Sequence, residues 1–342
     1  MTNPTPNVAV LSPETRALVD SVVAAVTGSR HLVGAGDKNG VDAAAVDAMR
    51  RSLLGSGFDG VVVIGEGEKD EAPMLFVGER FGGAASEGSA STANDHQLPA
   101  PKWNIAVDPI DGTALAAAGE PGAVSVIAVS EHGTMAIAPE VYYMQKLVTS
   151  ATGRGVVDLD MSAAANIRAL ANALGKSIGE IRVAVIDKPR NAELIAEIQA
   201  IGAQWARFAE GDVAQAVVAA TEGTDVDILL GVGGNPEGVA SAVAVQVLGG
   251  FMQGRLAPQT EVERDSALSA GLDLERKFEL HELVGGSRHI FVMAGVTDGP
   301  LTRGFAVHKS ANGERADELH VEVLVLDSEI GAAQVLTEVV EL

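Results

Sequence analysis

Residues 181–250 of this 342-residue chain have the sequence IRVAVIDKPRNAELIAEIQAIGAQWARFAEGDVAQAVVAATEGTDVDILLGVGGNPEGVASAVAVQVLGG, and this stretch decides the fold. Runs rich in valine and isoleucine, such as IRVAVID and VDILLGVGG, alternate with segments of helical composition, such as NAELIAEIQAIG and VAQAVVAATEG. This alternation is typical of βαβ units, in which helices cover both faces of a sheet. The pattern therefore predicts an α/β fold.

The N-terminal part of the chain predicts two further helices. SPET at residues 12–15 combines an N-cap serine, a proline at the first helical position and an acid in the first turn. After a glycine-rich turn, VDAAAVDAMRRSLLGSG at residues 41–57 has helical composition and ends in glycines.

The composition agrees with this fold class. Hydrophobic residues make up 47% of the chain and aromatic residues only 4%, so small aliphatic side chains dominate the predicted core. The length allows one large or two moderate domains. We place a boundary near residue 180, which gives an N-terminal domain over residues 1–180 and a C-terminal domain over residues 181–342.

The charge and the termini exclude several classes of function. With 24 Lys and Arg against 46 Asp and Glu, the net charge of -22 would repel a nucleic-acid backbone. The absence of cysteine excludes disulfides and thiol nucleophiles. The first residues lack a signal-peptide pattern, and no apolar run reaches the ~18 residues of a membrane span. We predict a cytoplasmic protein that binds neither nucleic acid nor membrane.

The motif DPIDGT at residues 108–113 follows a predicted strand at residues 103–107. Asp108 and Asp111 stand three residues apart across a turn that the intervening proline constrains, so their carboxylates can face one point. Carboxylate and carbonyl oxygens are the ligands that Mg²⁺ and Mn²⁺ prefer. The motif predicts a divalent-metal site, and an ordinary acidic turn is the alternative.

A second acidic segment, GEGEKDE at residues 65–71, follows the predicted buried strand VVVI. Carboxylates this dense repel one another unless cations lie between them, so Glu66 is predicted to join the metal site. The alternative is a solvated acidic loop. Glu237 in GVGGNPEG also stands at a strand-to-helix turn, and it is either a third acid of the site or an acid that stabilises the helix start.

Two basic residues and a tyrosine are candidates for binding a substrate phosphate. Lys188 and Arg190 follow the strand AVID in a chain with few cations, and arginine can bind phosphate with two parallel hydrogen bonds. The alternative is a pair of solvated side chains. For Tyr143, substrate contact and a core or interface position are both open.

Seven segments occur in the order expected of a known family. They are GDKN with Asp42, VVVIGEGEKDEAPM, AVDPIDGT, YYMQKL, DKPR, EGDVA and GVGGNPEG, within residues 30–300. The chain resembles the bacterial class II fructose-1,6-bisphosphatases of the GlpX type, which belong to the lithium-sensitive, metal-dependent sugar and inositol phosphatases. The resemblance implies a layered αβαβα fold, Mg²⁺ or Mn²⁺ as cofactor, and a homodimer or homotetramer.

The resemblance also implies roles for individual residues. The metal ligands or close neighbours would be Asp42, Glu66, Asp108, Asp111 and Glu237, with the backbone oxygen of Ile110. Asp70 and Thr113 would orient or deprotonate the attacking water, with Lys38 near the metals. The sugar and its distal phosphate would be held by Tyr143, Lys188, Arg190, Glu210 and Asp212. The N-terminal domain would thus bind metal, and the C-terminal domain would complete the substrate site.

Several positions depart from the family pattern. Ala35 replaces an arginine, Asn191 a histidine and Glu210 an aspartate, and the family's basic tail is missing after about residue 304. The loop at residues 81–101 is also longer than usual. These differences bear on which sugar is bound, because the acids of the metal site are all present.

We predict a phosphoric monoester hydrolase that removes the 1-phosphate of fructose 1,6-bisphosphate or a related ketose bisphosphate. The alternatives are a sedoheptulose-1,7-bisphosphatase, an inositol-type monophosphatase and a non-catalytic paralogue that binds a sugar phosphate. The complete set of acids argues against the paralogue. The basic pair Lys188 and Arg190 argues against the monophosphatase.

Overall fold

The computed structural model describes residues 10–65, 74–82, 100–309 and 316–342. The described residues contain nine α-helices and fourteen β-strands. The helices are α1 (Pro13–Ser29), α2 (Lys38–Ser56), α3 (Thr113–Ala118), α4 (Ala163–Leu174), α5 (Ala192–Ala200), α6 (Asp212–Ala220), α7 (Asn235–Leu248), α8 (Glu261–Ser269) and α9 (Leu280–Leu283). The strands are β1 (Gly60–Ile64), β2 (Arg80–Phe81), β3 (Trp103–Asp111), β4 (Val124–Glu131), β5 (Tyr143–Thr149), β6 (Arg182–Ile186), β7 (Gln204–Phe208), β8 (Ile228–Gly234), β9 (Phe251–Leu256), β10 (Phe278–Glu279), β11 (His289–Gly295), β12 (Ala306–His308), β13 (Glu318–Asp327) and β14 (Gln334–Glu341).

The strands form two sheets. The first has the order β12-β13-β11-β4-β3-β1-β2, with β14 beside β13, and the second has the order β10-β9-β5-β8-β6-β7. In the second sheet β6 pairs in parallel with both β7 and β8, which confirms the predicted βαβ units. β5 pairs antiparallel with both β8 and β9 and lies between them.

Three apolar clusters separate the layers. The first lies between helices α1 and α2 and the first sheet, and it contains Leu18, Met49 and Ile105. The second fills the space between the two sheets around α6 and α7. The third packs α4 and α5 on the outer face of the second sheet. The order of layers is αβαβα, as the family resemblance implies.

The predicted start of α1 is confirmed. The backbone N–H of Thr15 donates to the Ser12 side chain at 3.1 Å, Pro13 opens the helix, and Glu14 lies in the first turn. α2 begins earlier than its composition predicts, because the Asp37 side chain accepts from the backbone N–H of Gly40 at 2.9 Å and caps the helix. Lys38, predicted in the turn, therefore lies at the first position of α2, while Asp42 lies within α2 as the composition predicts.

The second sheet is inserted into the first. Its strands all lie between Tyr143 and Glu279, whereas the chain after His289 returns to the first sheet. Residue 180, the predicted boundary, falls between α4 and β6, which pack in the same apolar cluster. The division into residues 1–180 and 181–342 stays a prediction, and the sheets divide the chain at other positions.

No helix among the described residues is long and apolar enough to cross a membrane. Residues 83–99 of the predicted loop at residues 81–101 lie outside the described ranges, whereas Phe81, which ends β2, Gly82, Ala100 and Pro101 lie within them.

Candidate active site

A cavity of about 820 Å³ opens where the ends of β3, β6 and β8 face the first turns of four helices. It is lined by all of the predicted site residues that the structure describes, namely Lys38, Asp42, Asp108, Ile110, Asp111, Thr113, Tyr143, Lys188, Arg190, Glu210, Asp212 and Glu237. The two others, Glu66 and Asp70, lie outside the described residues.

The end of β3 forms one wall of the cavity. The register between β3 and β4 shifts between Asp108 and Asp111, where Pro109 has no backbone N–H to offer the neighbouring strand. The N–H of Ile110 donates to Asp108 Oδ1 at 3.1 Å, and Thr113 Oγ1 donates to the carbonyl of Ile110 at 3.0 Å. The shift thus gathers carboxylate, carbonyl and hydroxyl oxygens within one turn.

Asp111 is buried beside two other carboxylates. Its side chain accepts from the backbone N–H of Val213, at the start of α6, at 3.2 Å. Burial, reinforced by the charges of Glu237 and Asp212, raises the pKa of Asp111 to about 7. This carboxylate therefore carries its charge at a cost in the absence of a cation.

Glu237 is in a similar position at the start of α7. Burial raises the pKa of its side chain, and the charge of Lys146 offsets only part of this increase. Its Oε2 atom is buried and has no hydrogen-bond partner among the described residues. A buried carboxylate oxygen without a donor is costly, so this oxygen points to a positively charged ligand.

Lys146 is a residue of this region that the sequence analysis missed. Its side chain is only 2% exposed in β5, and Nζ donates to Asp212 Oδ2 and to the carbonyl of Gly234 at 2.9 Å. These two bonds connect the start of α6 with the end of β8. The sequence signal was a lysine within the strand segment YYMQKL. A lysine buried in a strand requires an acidic partner, so its presence there indicates a buried ion pair.

Two glycines leave room for this arrangement. A Cβ atom on Gly233 would overlap with the carboxylate of Asp212, and one on Gly234 would overlap with the carboxylate of Glu237. The glycines of GVGGNPEG therefore let two carboxylates lie close against the backbone of β8.

The basic residues line the same cavity. Arg190 Nε donates to the carbonyl of Val232 at 2.8 Å, and its guanidinium carbon lies 4.6 Å from the centre of the Tyr143 ring. Tyr143 is half-buried at the cavity rather than in the core. Glu210, on the wall beside them, accepts from the backbone N–H of Ala114 at 3.0 Å and so joins the turn before α6 to α3.

The positions that depart from the family pattern differ in their relation to the cavity. Glu210 lines it directly, and Asn191 is buried next to Arg190. Ala35 is exposed in the turn before α2 and does not line it.

The oxygen donors suit a hard divalent cation. Asp108, Asp111, Glu237 and the carbonyl of Ile110 offer oxygen atoms of the kind that such cations bind, and burial raises the pKa of Asp111 and Glu237. Within residues 10–65, 74–82, 100–309 and 316–342, no three acidic or histidine side chains are arranged to hold one ion. The acidic segment around Glu66, which follows β1, lies outside these ranges.

Known proteins are similar in sequence to this chain over most of its length. The family model for bacterial fructose-1,6-bisphosphatase, glpX-encoded, matches residues 15–338. The fructose-1,6-bisphosphatase class 2 of Haemophilus influenzae is 39% identical over 287 residues, which cover 80% of this chain and 82% of the relative. Two proteins named D-fructose 1,6-bisphosphatase class 2/sedoheptulose 1,7-bisphosphatase are 38% identical. The protein of Synechocystis sp. matches over 300 residues, 84% of this chain and 86% of its own. The protein of Thermosynechococcus vestitus matches over 316 residues, 88% of this chain and 90% of its own.

Proposed function

The chain belongs to the family of bacterial, glpX-encoded fructose-1,6-bisphosphatases, and on this basis we propose that it removes the 1-phosphate of a ketose bisphosphate. Fructose 1,6-bisphosphate is the first candidate. Sedoheptulose 1,7-bisphosphate is the second, because two relatives carry both names. The observation that carries the proposal is the single cavity lined both by Asp108, Asp111 and Glu237 and by Lys188 and Arg190.

The family is metal-dependent, and we propose Mg²⁺ or Mn²⁺ for this chain. The residues that would hold the ions are Asp42, Asp108, Asp111, Glu237 and the carbonyl of Ile110, together with Glu66 from outside the described residues. Divalent cations bound there would neutralise the charge on the oxygens of the transferring phosphoryl group.

Three further residues would act on the attacking water and the phosphoryl group. We assign Thr113 and Asp70 to the attacking water, with Thr113 orienting the water and Asp70 accepting its proton. Lys38 lies at the first position of α2, where its ammonium group and the positive end of the helix would both favour the phosphoryl group. Its contribution is electrostatic, because an ammonium group accepts no proton.

The distal phosphate and the sugar of the substrate would contact a second group of residues. Lys188 and Arg190 would bind the distal phosphate by charge-assisted hydrogen bonds, with Tyr143 supporting the guanidinium. The carboxylates of Glu210 and Asp212 would accept hydrogen bonds from sugar hydroxyls. One phosphate of a bisphosphate would thus lie at the metal site and the other at Lys188 and Arg190, whereas a monophosphate would occupy only one of these places.

A phosphate-release assay tests the proposal. Purified protein with Mg²⁺ or Mn²⁺ is expected to release phosphate from fructose 1,6-bisphosphate or sedoheptulose 1,7-bisphosphate, and chelation of the metal should stop the reaction. Inositol 1-phosphate serves as the comparison substrate. Release from none of the three would contradict a phosphatase, and calorimetric binding without release would support the non-catalytic alternative. Release from inositol 1-phosphate alone would support the monophosphatase.

The family resemblance also bears on the assembly and the location of the protein. We propose a homodimer or homotetramer in the cytoplasm. Light scattering coupled to size-exclusion chromatography would test the assembly, since a monomeric mass would contradict it.

A further inference from the structure

Asn191 lies beneath the basic side of the cavity and makes hydrogen bonds only to backbone groups. Its side chain is 2% exposed. Oδ1 accepts from the N–H of Val232 at 2.8 Å, while Nδ2 donates to the carbonyl of Val232 at 3.0 Å and to that of Ile186 at 3.2 Å. Both polar atoms of the amide are therefore used.

These bonds join two strands where their own pairing has stopped. The ladder between β6 and β8 comprises the pairs Val183 with Ile228 and Ala184 with Leu229. Ile186 and Val232 come after those pairs, and the Asn191 side chain connects them instead. The connection is closely packed, since a Cβ atom on Gly231 would lie 3.0 Å from Asn191 Oδ1.

The carbonyl of Val232 also accepts the hydrogen bond from Arg190 Nε, at 2.8 Å. One oxygen atom therefore meets both the amide of Asn191 and the guanidinium of Arg190. The two Nη atoms of Arg190 make no hydrogen bond to any other residue that the structure describes, so they can meet an anion in the cavity. The orientation of the guanidinium depends on where this carbonyl lies.

We propose that Asn191 is a positioning residue for Arg190. It fixes the carbonyl of Val232, this carbonyl holds Nε, and the Nη atoms then face the distal phosphate of the substrate. Asn191 does not touch the substrate itself. The identification of the bound group as a distal phosphate rests on the proposed function, whereas the positioning of Arg190 rests on the hydrogen bonds.

Substrates with and without a distal phosphate separate positioning from a general structural role. For Asn191→Ala, the KM for fructose 1,6-bisphosphate should rise about tenfold with kcat within about twofold of wild type, the size expected for a weakened charge-assisted contact. Hydrolysis of p-nitrophenyl phosphate, which has no second phosphate, should stay within about twofold. An equal loss with both substrates would overturn the proposal.

Asn166 provides a matched control. It is also 2% exposed, and its amide also bonds backbone groups, accepting from the N–H of Asp158 at 2.8 Å and donating to the Asp158 carbonyl at 2.9 Å. It lies on α4, outside the residues that line the cavity. Asn166→Ala should lower the melting temperature and leave the KM for the bisphosphate unchanged. A similar KM increase in both variants would show that loss of packing, and not positioning, is the cause.

A double-mutant cycle with Arg190→Ala tests the route of the effect. If Asn191 acts through Arg190, then adding Asn191→Ala to Arg190→Ala should raise KM by less than about twofold more. Additive effects would contradict the proposal. If Asn191→Ala does not fold, Asn191→Ser supplies the same comparison with a smaller loss of contacts.

Calorimetric titration with fructose 6-phosphate gives a readout that does not depend on turnover. Its affinity should fall about tenfold in Asn191→Ala and stay unchanged in Asn166→Ala. A wild-type protein that binds fructose 6-phosphate but releases no phosphate would contradict the proposed function, while a tenfold weaker affinity in Asn191→Ala would still support the positioning of Arg190. Equal affinity in wild type and Asn191→Ala would contradict the positioning even in an active enzyme.

Discussion

Two buried aspartates at different ends of the first sheet have opposite surroundings. Asp327, at the end of β13, accepts hydrogen bonds from Arg288, from Thr15 Oγ1 at 2.6 Å and from the N–H of Glu329 at 2.9 Å. Asp111, at the end of β3, lies near the carboxylates of Glu237 and Asp212 and accepts a hydrogen bond from the backbone N–H of Val213. Both side chains are largely buried, so burial alone does not distinguish them.

The pKa values of the two groups follow this difference. Burial favours a higher pKa for Asp327, but the hydrogen bonds from Arg288 and Thr15 outweigh it and hold the pKa below its usual range. For Asp111, burial and the neighbouring charges of Glu237 and Asp212 act in the same direction and raise the pKa to about 7. The comparison indicates that Asp327 stabilises the fold, whereas the charge of Asp111 is unfavourable in its surroundings, as expected for a residue of the proposed cation site.

The same substitution at the two positions should therefore have opposite effects. Asp111→Asn is expected to lower kcat by about 10²–10³-fold, the loss typical of removing one electrostatic contact to a transition state. Its melting temperature without metal should equal or exceed that of wild type, because a costly charge has been removed. Phosphate release and differential scanning calorimetry measure the two effects. A fully active Asp111→Asn would remove this residue from the metal site.

Lys146 lies in the candidate site, as Asp111 does, but it pairs with a buried aspartate, Asp212, as Arg288 does with Asp327. Lys146→Met leaves the Asp212 carboxylate buried without its cation and should lower the free energy of unfolding by about 4 kcal/mol. Adding Asp212→Asn should recover most of that stability, since both charges are then gone, but not the activity. Denaturant unfolding and phosphate release on both variants check this. Recovered activity in the double variant would assign the pair a structural role alone.

Asp327→Asn should lower the free energy of unfolding by about 3 kcal/mol, because Arg288 loses its buried partner. The kcat per folded molecule should not change. Since the folded-state pKa of Asp327 is lowered, its stabilising contribution is present above the ordinary pKa of 3.8 and is lost as the pH falls through the lower folded-state value. The difference between wild type and variant should therefore shrink at acid pH. A difference that grows there would contradict the assignment.

The smallest effect is expected from Thr15→Val, which removes one of the hydrogen bonds to Asp327 and keeps the shape of the side chain. The free energy of unfolding should fall by about 1 kcal/mol. Urea unfolding measures it, with an unchanged dependence on urea concentration. An effect as large as that of Asp327→Asn would mean that Thr15, rather than Arg288, is the main partner of Asp327.

Local sequence chemistry predicted the parts of the fold that depend on neighbouring residues. The capped start of α1 at Ser12 and the start of β3 at Trp103 follow from relations over a few positions. The predicted end of β3 at residue 107 was wrong, because the strand continues through DPID to Asp111. The early start of α2 at Lys38 was missed because the acid that caps it, Asp37, was assigned to a turn. For the site, the family resemblance supplied residues that this structure brings to one cavity, but their roles stay predictions.

The parts that could not be predicted depend on distant pairing. The acidic partner of Lys146 is 66 residues further along the chain, so the sequence around the lysine does not reveal it. The hydrogen bonds of Asn191 also depend on which strand lies beside β6. The return of residues 289–342 to the first sheet is a third case, because nothing in β11 itself identifies β4 as its neighbour.

This return has a consequence for synthesis. Chains leave the ribosome from the N-terminus, and β4 has emerged long before β11, which pairs along its whole length with it. Until then β4 presents an unpaired edge, and every strand of the second sheet is completed first. A nascent chain stalled or cut after Glu279 would therefore carry a complete second sheet beside a half-built first sheet, whose open edge could associate with other chains.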